Sequence, residues 1–136
     1  MRNSSESGLT LIEIMMVLVI LGIVIAFVGS RLFAAGDSAK AELTKSKLQT
    51  IKQYIDQYRL RYDALPPDLN SLVRCTEATG PGCIPITGEE SLADAWRKPL
   101  IYSIQDGGRQ YVLKSLGADM KEGGEGVNFD HFVKGP

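Results

Sequence analysis

The residues able to do chemistry fall in three places. Glu13 stands in an apolar run, residues 9–28, where Thr10 is the only other markedly polar residue. A carboxylate in a membrane segment costs a few kcal/mol even on lenient insertion scales, and such residues tend to be functional and to have a partner. Lys, Arg and His are absent between Leu9 and Ser30, so the partner must come from elsewhere. A cut after Gly8 would create one: the new α-amino group of Leu9, with an ordinary pKa of about 8, lying about a helical turn from Glu13. A neighbouring copy could offer the same amine. A pair formed in low dielectric would set the register between adjacent helices.

The second place is the glycine-rich stretch 115–130, which gathers Asp119, Glu122, Glu125, Asn128 and Asp130. Calcium takes about six to eight oxygens from carboxylates, amides and backbone carbonyls on a chain that bends around it. The spacing is not that of an EF-hand, and an acidic solvated loop is the alternative reading. The third place is Cys75 and Cys83, with Gly80-Pro81-Gly82 turning the chain between them. A disulfide fits an oxidising compartment, and two free thiols in a cytosolic loop are the alternative. The spacing is too wide for a CxxC redox motif, and no second pair completes a zinc site. With His131 as the single histidine, most general-base schemes would need a carboxylate. An exported enzyme or binding module on a signal anchor therefore lacks a recognisable catalytic set.

The elements that must position these residues follow from the pattern of charge. The chain has 136 residues, 15 basic and 16 acidic, with a formal charge of −1. Such a balance gives no long-range pull toward nucleic acid or anionic lipid. Charges are nearly absent from residues 9–30 and frequent afterwards. The average hides an apolar stem and a polar head, the head large enough for a small core with little margin. About 20 helical residues span a hydrocarbon layer of about 30 Å. A cleaved secretory signal would be shorter and cut at a site such as Ala34-Ala35-Gly36, and a plain signal anchor is a further reading. Gly22 suits close helix packing in a membrane. Gly29 either loosens the helix or leaves it continuous.

Beyond Arg31 the helix is expected to continue. Leu48, Ile51, Ile55, Tyr58 and Tyr62 follow steps of three and four, a face to be packed on the head's own sheet. A binding surface built on these tyrosines is the alternative. The helix should end before Pro66-Pro67, with a short helix at residues 68–73. Residues 100–104 and 110–114 read as strands, joined by the hairpin signal Gln105-Asp106-Gly107-Gly108-Arg109. The fold class is α+β: a long N-terminal helix laid on a small antiparallel sheet.

Gly8-Leu9-Thr10-Leu11-Ile12-Glu13-Ile14-Met15-Met16-Val17 resembles the N-terminal signature of type IV pilins and type II secretion pseudopilins. The resemblance implies a pilin-like fold, cleavage between Gly8 and Leu9 by prepilin peptidase, N-methylation of Leu9, and alignment of subunits by Glu13 during assembly. Leu9 stands where Phe is more frequent. The leader carries one Arg and one Glu where more basic residues are common, which weakens the positive-inside signal. Asp94-Ala95-Trp96-Arg97-Lys98-Pro99 resembles the Asp-Pro-Trp-Gly-x-Pro segment of the major pseudopilin, with Ala95 and Arg97 departing from Pro and Gly. Trp96 is expected to be a packing anchor at the sheet edge.

Ser115-Leu116-Gly117-Ala118-Asp119, followed by Gly123-Gly124 and Asp130, is similar to the calcium loop of that family. The resemblance implies one structural Ca²⁺ held by the side chains of Asp119 and Asp130 and the carbonyls of Leu116 and Lys121, with Asn128 a further candidate. Met120 replaces a frequent Gly, and His131-Phe132 replaces the usual Ile-Gly-Asn-Trp ending. His131, a poor calcium ligand, is expected to be exposed.

Taken together, the resemblance implies a leader at 1–8, a transmembrane and assembly helix at 9–30, and a periplasmic head at 31–136. The protein would be a single-pass inner-membrane subunit, not an enzyme, that polymerises with itself into a pseudopilus for type II secretion of folded proteins. Its partners would be minor pseudopilins, the inner-membrane assembly platform, prepilin peptidase and membrane lipid, without nucleic acid. The alternative is a type IV pilin for adhesion, motility or DNA uptake. The mid-head position of Cys75 and Cys83 argues against it, since pilin disulfides commonly lie near the chain's end.

Overall fold

The computed structural model describes residues 8–136; of the expected leader, all but Gly8 lies outside them. The chain divides after Gly36 into two compact units. The helix α1, Leu11–Tyr62, contributes to both.

In the first unit every large apolar side chain from Leu9 to Phe33 is exposed. An apolar run takes the helical form because a helix satisfies all its backbone groups internally, which a hydrocarbon surrounding demands. By length and composition α1 could cross a membrane. Helical structure passes through Gly29 without a break, so the glycine does not interrupt the stem. Near its end Ser30 Oγ donates to the Phe27 carbonyl at 2.9 Å, and the Arg31 guanidinium lies 4.8 Å from the centre of the Phe27 ring.

In the second unit α1 buries Thr44, Leu48, Ile51, Ile55 and Tyr58, the stripe expected from the spacing, extended by one turn at Thr44. Tyr62 packs on this cluster and stacks at 4.6 Å on Tyr58, so these tyrosines serve the core. Burying each Leu or Ile here is worth about 1.5–3 kcal/mol. The helix ends at Tyr62, where Asp63 takes a left-handed φ of 53° ahead of Pro66-Pro67. A short 3-10 helix follows at Leu69–Leu72, capped by Asp68, whose Oδ1 accepts from the Ser71 backbone N–H and hydroxyl at 2.9 Å each.

The sheet has three antiparallel strands, β1 Ile101–Gln105, β2 Gln110–Ser115 and β3 His131–Gly135, in the order β1-β2-β3. The first two and the turn at Asp106–Gly108 match the hairpin expected from sequence. The third was not expected. Residues 131–132 open a strand that pairs Ser115 with His131 and Tyr111 with Gly135. His131 is accordingly half-buried, not exposed, and its Nε2 is enclosed without a hydrogen-bond partner among the described residues. Tyr111, Leu113 and Ser115 of β2 face inward and are fully buried, and α1 and the sheet share one core with Leu65, Leu69, Leu72 and Leu100.

Candidate functional site

At the N-terminal end, Gly8, Leu9 and Thr10 are exposed and lie outside the helix. A peptide bond in such backbone can be drawn into a protease cleft without unwinding a turn. Thr10 is the residue that starts α1. Its carbonyl accepts the N–H of Glu13 at 3.1 Å and of Ile14 at 3.2 Å, and its hydroxyl accepts the Glu13 N–H at 3.4 Å. Thr10-x-x-Glu13 is thus the Thr half of a capping box, with an acidic residue where the helix dipole favours one. The sequence carried this signal; reading Glu13 for its charge alone conceals it. In the described chain the Leu9 nitrogen is still in peptide linkage to Gly8.

The glycine-rich loop starts from a buried bracket that joins the Asp94 segment to Ser115. Asp94 is 1% exposed. Its Oδ1 accepts the N–H groups of Trp96 and Lys98 at 2.9 Å each, and its Oδ2 accepts the Ser115 hydroxyl at 2.8 Å. Ser115 Oγ in turn accepts the Gly117 N–H at 3.4 Å. On the helix side, the Thr44 hydroxyl accepts the Ala95 N–H at 3.2 Å, and Lys47 Nζ donates to the Ala93 carbonyl at 3.0 Å. One carboxylate therefore fixes the turn around Trp96, the end of β2 and the mouth of the loop. Trp96 is half-buried in the turn that enters β1 and is not part of the core cluster; its indole Nε1 is enclosed with no hydrogen-bond partner among the described residues.

The loop closes through the Ala118 N–H donating to the Val127 carbonyl at 3.0 Å. Gly117 and Gly124 lie with φ of 70° and 100° against the backbone of Asn128, and a Cβ on either would meet that backbone at 3.0 Å or less. Only glycine fits there. Of the four described non-glycine residues with left-handed backbone, two are Arg97 at φ 61° and Met120 at φ 58°. These are the two positions where the family resemblance led one to expect Gly, and the geometry supplies the reason.

The carried-over metal residues are distributed along this loop. Asp119 Oδ1 accepts the Lys121 N–H at 3.1 Å. Asp130 Oδ2 accepts the Gly123 N–H at 3.0 Å and faces Lys114 Nζ at 2.9 Å, while its Oδ1 is enclosed with no partner among the described residues. The Gly123 N–H first, and Lys114 second, hold the Asp130 carboxyl below its ordinary pKa. Among the described residues no group of three His, Cys, Asp or Glu side chains could hold a metal. A cation here would therefore lean on the carbonyls of Leu116, Lys121 and Asn128 beside Asp119 and Asp130. An unpartnered carboxylate oxygen and an all-oxygen donor set fit a hard cation such as Ca²⁺. Lys114 is a residue the sequence reading passed over. Cys75 and Cys83 are joined by a disulfide with Cα atoms 5.7 Å apart.

Comparison with known proteins gives two adjoining family matches. The family described as prokaryotic N-terminal methylation motif matches residues 3–29, and that described as type II secretion system (T2SS), protein G, matches residues 31–132. A type II secretion system core protein G from Xanthomonas campestris pv. campestris is 32% identical over 128 residues, covering 94% of this chain and 90% of that protein. That of Pseudomonas aeruginosa is 33% identical over 138 residues, covering 96% of each. That of Vibrio cholerae is 33% identical over 139 residues, covering 95% and 92%.

Proposed function

Because the chain belongs to the type II secretion system protein G family, we propose that it is a non-enzymatic structural subunit of a periplasmic pseudopilus that drives folded proteins across an outer membrane. The family match favours this reading over the adhesion or DNA-uptake pilin. The observation that carries it is the pairing of that match over residues 31–132 with an apolar stretch, Leu9 to Phe33, whose large side chains all lie exposed. A surface of that kind needs lipid or neighbouring helices to cover it.

On this reading prepilin peptidase cuts between Gly8 and Leu9, Leu9 is N-methylated, and Glu13 pairs with the amine of an adjacent subunit to set its register. The subunit is held in the inner membrane by one span, with residues 31–136 in the periplasm. There it meets further copies of itself, minor pseudopilins and the assembly platform. The disulfide is in keeping with that compartment. One Ca²⁺ braces the C-terminal loop through Asp119 and Asp130 with the carbonyls of Leu116, Lys121 and Asn128.

The test is deletion of the gene and complementation. Loss of the chain should leave secreted proteins in the periplasm, the wild type should restore export, and Glu13→Ala should not. Normal export in the deletion strain would overturn the proposal. N-terminal analysis of the membrane form should find methyl-Leu9 as its first residue.

A further inference from the structure

Lys114 lies on β2 opposite Phe132 of β3, on the face away from the core. Its ammonium is 2.9 Å from Asp130 Oδ2 and 3.3 Å from Glu122 Oε1. The same Asp130 oxygen accepts the Gly123 N–H at 3.0 Å. One cationic group thus ties the outgoing arm of the loop, at Glu122, to the returning arm at Asp130, whose carboxylate also holds the Gly123 amide. The Lys114 side chain is 25% exposed and that of Asp130 is 12% exposed, so this contact is sheltered in a way that the pairing with Glu122, 84% exposed, is not. A sheltered pair is screened less than a surface one.

A positive charge drawing carboxylates together across a flexible loop is the electrostatic role a bound metal ion plays. Here the chain carries that charge itself. A divalent cation ligated by Asp130 would bring a second positive centre within a few ångströms of Lys114, and the two would repel.

We propose that Lys114 is a built-in counter-ion that closes the loop and competes with calcium for Asp130, so that loop closure depends only weakly on metal. This rests on the calcium reading given above. The geometry makes Lys114 a positioning residue: it acts through Asp130 and the Gly123 amide.

The experiment uses the full-length protein in detergent, as wild type, Lys114→Met and Lys114→Arg. Hydrogen exchange at the Gly123 amide and the melting temperature are followed with a chelator and then through a calcium titration. With chelator, Lys114→Met should lose about tenfold of the protection at Gly123, and Lys114→Arg should keep it. In the titration, calcium should bind Lys114→Met about tenfold more tightly than wild type, and should restore the protection. Unchanged protection at Gly123 in Lys114→Met would overturn the proposal. So would equal calcium affinity in Lys114→Met and wild type. If neither responds to calcium, the metal reading falls and so does the competition, while loop closure by Lys114 is still decided by the protection measured in chelator. Should Lys114→Met fail to fold, Lys114→Gln gives the same comparison.

Discussion

Replacing Asp94 by Ala should unfold the head more readily than any surface change. The substitution leaves the amides of Trp96 and Lys98 and the hydroxyl of Ser115 without their acceptor. A buried polar group left unsatisfied costs about 1–3 kcal/mol. The two amides are partly buried and gain some compensation from water, whereas the Ser115 bond is fully buried. The expected sum is about 3–4 kcal/mol, a large share of the roughly 5–15 kcal/mol that holds a domain together. For a domain of about 100 residues that lowers the melting temperature by about 12–32 °C. Trp96, the single tryptophan, sits in the affected turn, so its fluorescence reports the transition directly. Asp94→Asn keeps an oxygen for the two amides and should cost about 1 kcal/mol, as should Ser115→Ala, which removes a single bond. The double variant Asp94→Ala/Ser115→Ala should cost less than the sum of its parts, because the hydroxyl's loss is counted in both. An Asp94→Ala protein melting within a few degrees of wild type, or strict additivity with Ser115→Ala, would refute the bracket.

Further expectations concern other elements. Met120→Gly and Arg97→Gly should each stabilise by about 0.5–1 kcal/mol, since relief of left-handed strain worth about 1–2 kcal/mol outweighs the entropy that glycine adds to the unfolded chain; urea melts of each variant would show it as a raised midpoint. Removing the Cys75–Cys83 link, with its sequence separation of 8, by a double Ser substitution should cost about 2–2.5 kcal/mol on the loop-entropy account, read as a lower melting temperature without reductant. Burial, and behind it Tyr58, pushes the Tyr102 hydroxyl up to about 12, and burial with Asp56 nearby raises Tyr111 as well. A raised folded pKa means stability that is complete below the unfolded value near 10 and lost as pH rises through about 12. Alkaline unfolding should therefore coincide with tyrosinate absorbance, and Tyr102→Phe should reduce the pH dependence while losing the hydroxyl's bond to the Pro66 carbonyl, 2.9 Å in the fold.

The parts of the structure governed by periodicity were legible beforehand. The stripe from Leu48 to Tyr62 needs only the helical repeat, and the β1–β2 hairpin needs only its Asp106-Gly107-Gly108 turn. β3 was not legible, because five residues between a glycine-rich loop and the chain's end carry no alternation strong enough to stand out. The segment Asp94-Ala95-Trp96 was visible as a family resemblance, but the role of Asp94 was not: its partner Ser115 is 21 positions away. Arg97 and Met120 conceal left-handed backbone because the residue that would have announced it is missing from both positions. Lys114 is one of fifteen basic residues and becomes distinctive only when the sheet brings Asp130 beside it.

Thr10 gives the N-terminus a property that bears on the order of events in making the filament. The hydroxyl that caps the start of α1 lies on the carboxyl side of the Gly8–Leu9 bond, so among the described residues the capping bonds all remain when that bond is severed. Under the proposed cleavage, maturation would be a change of charge without a change of the described helix: a peptide nitrogen would turn into an ammonium just ahead of α1. The uncut and cut chains would then share one helical form, and entry into the proposed fibre would be licensed by a chemical mark alone. Such a checkpoint can be fast, because no segment has to refold before the next subunit is added.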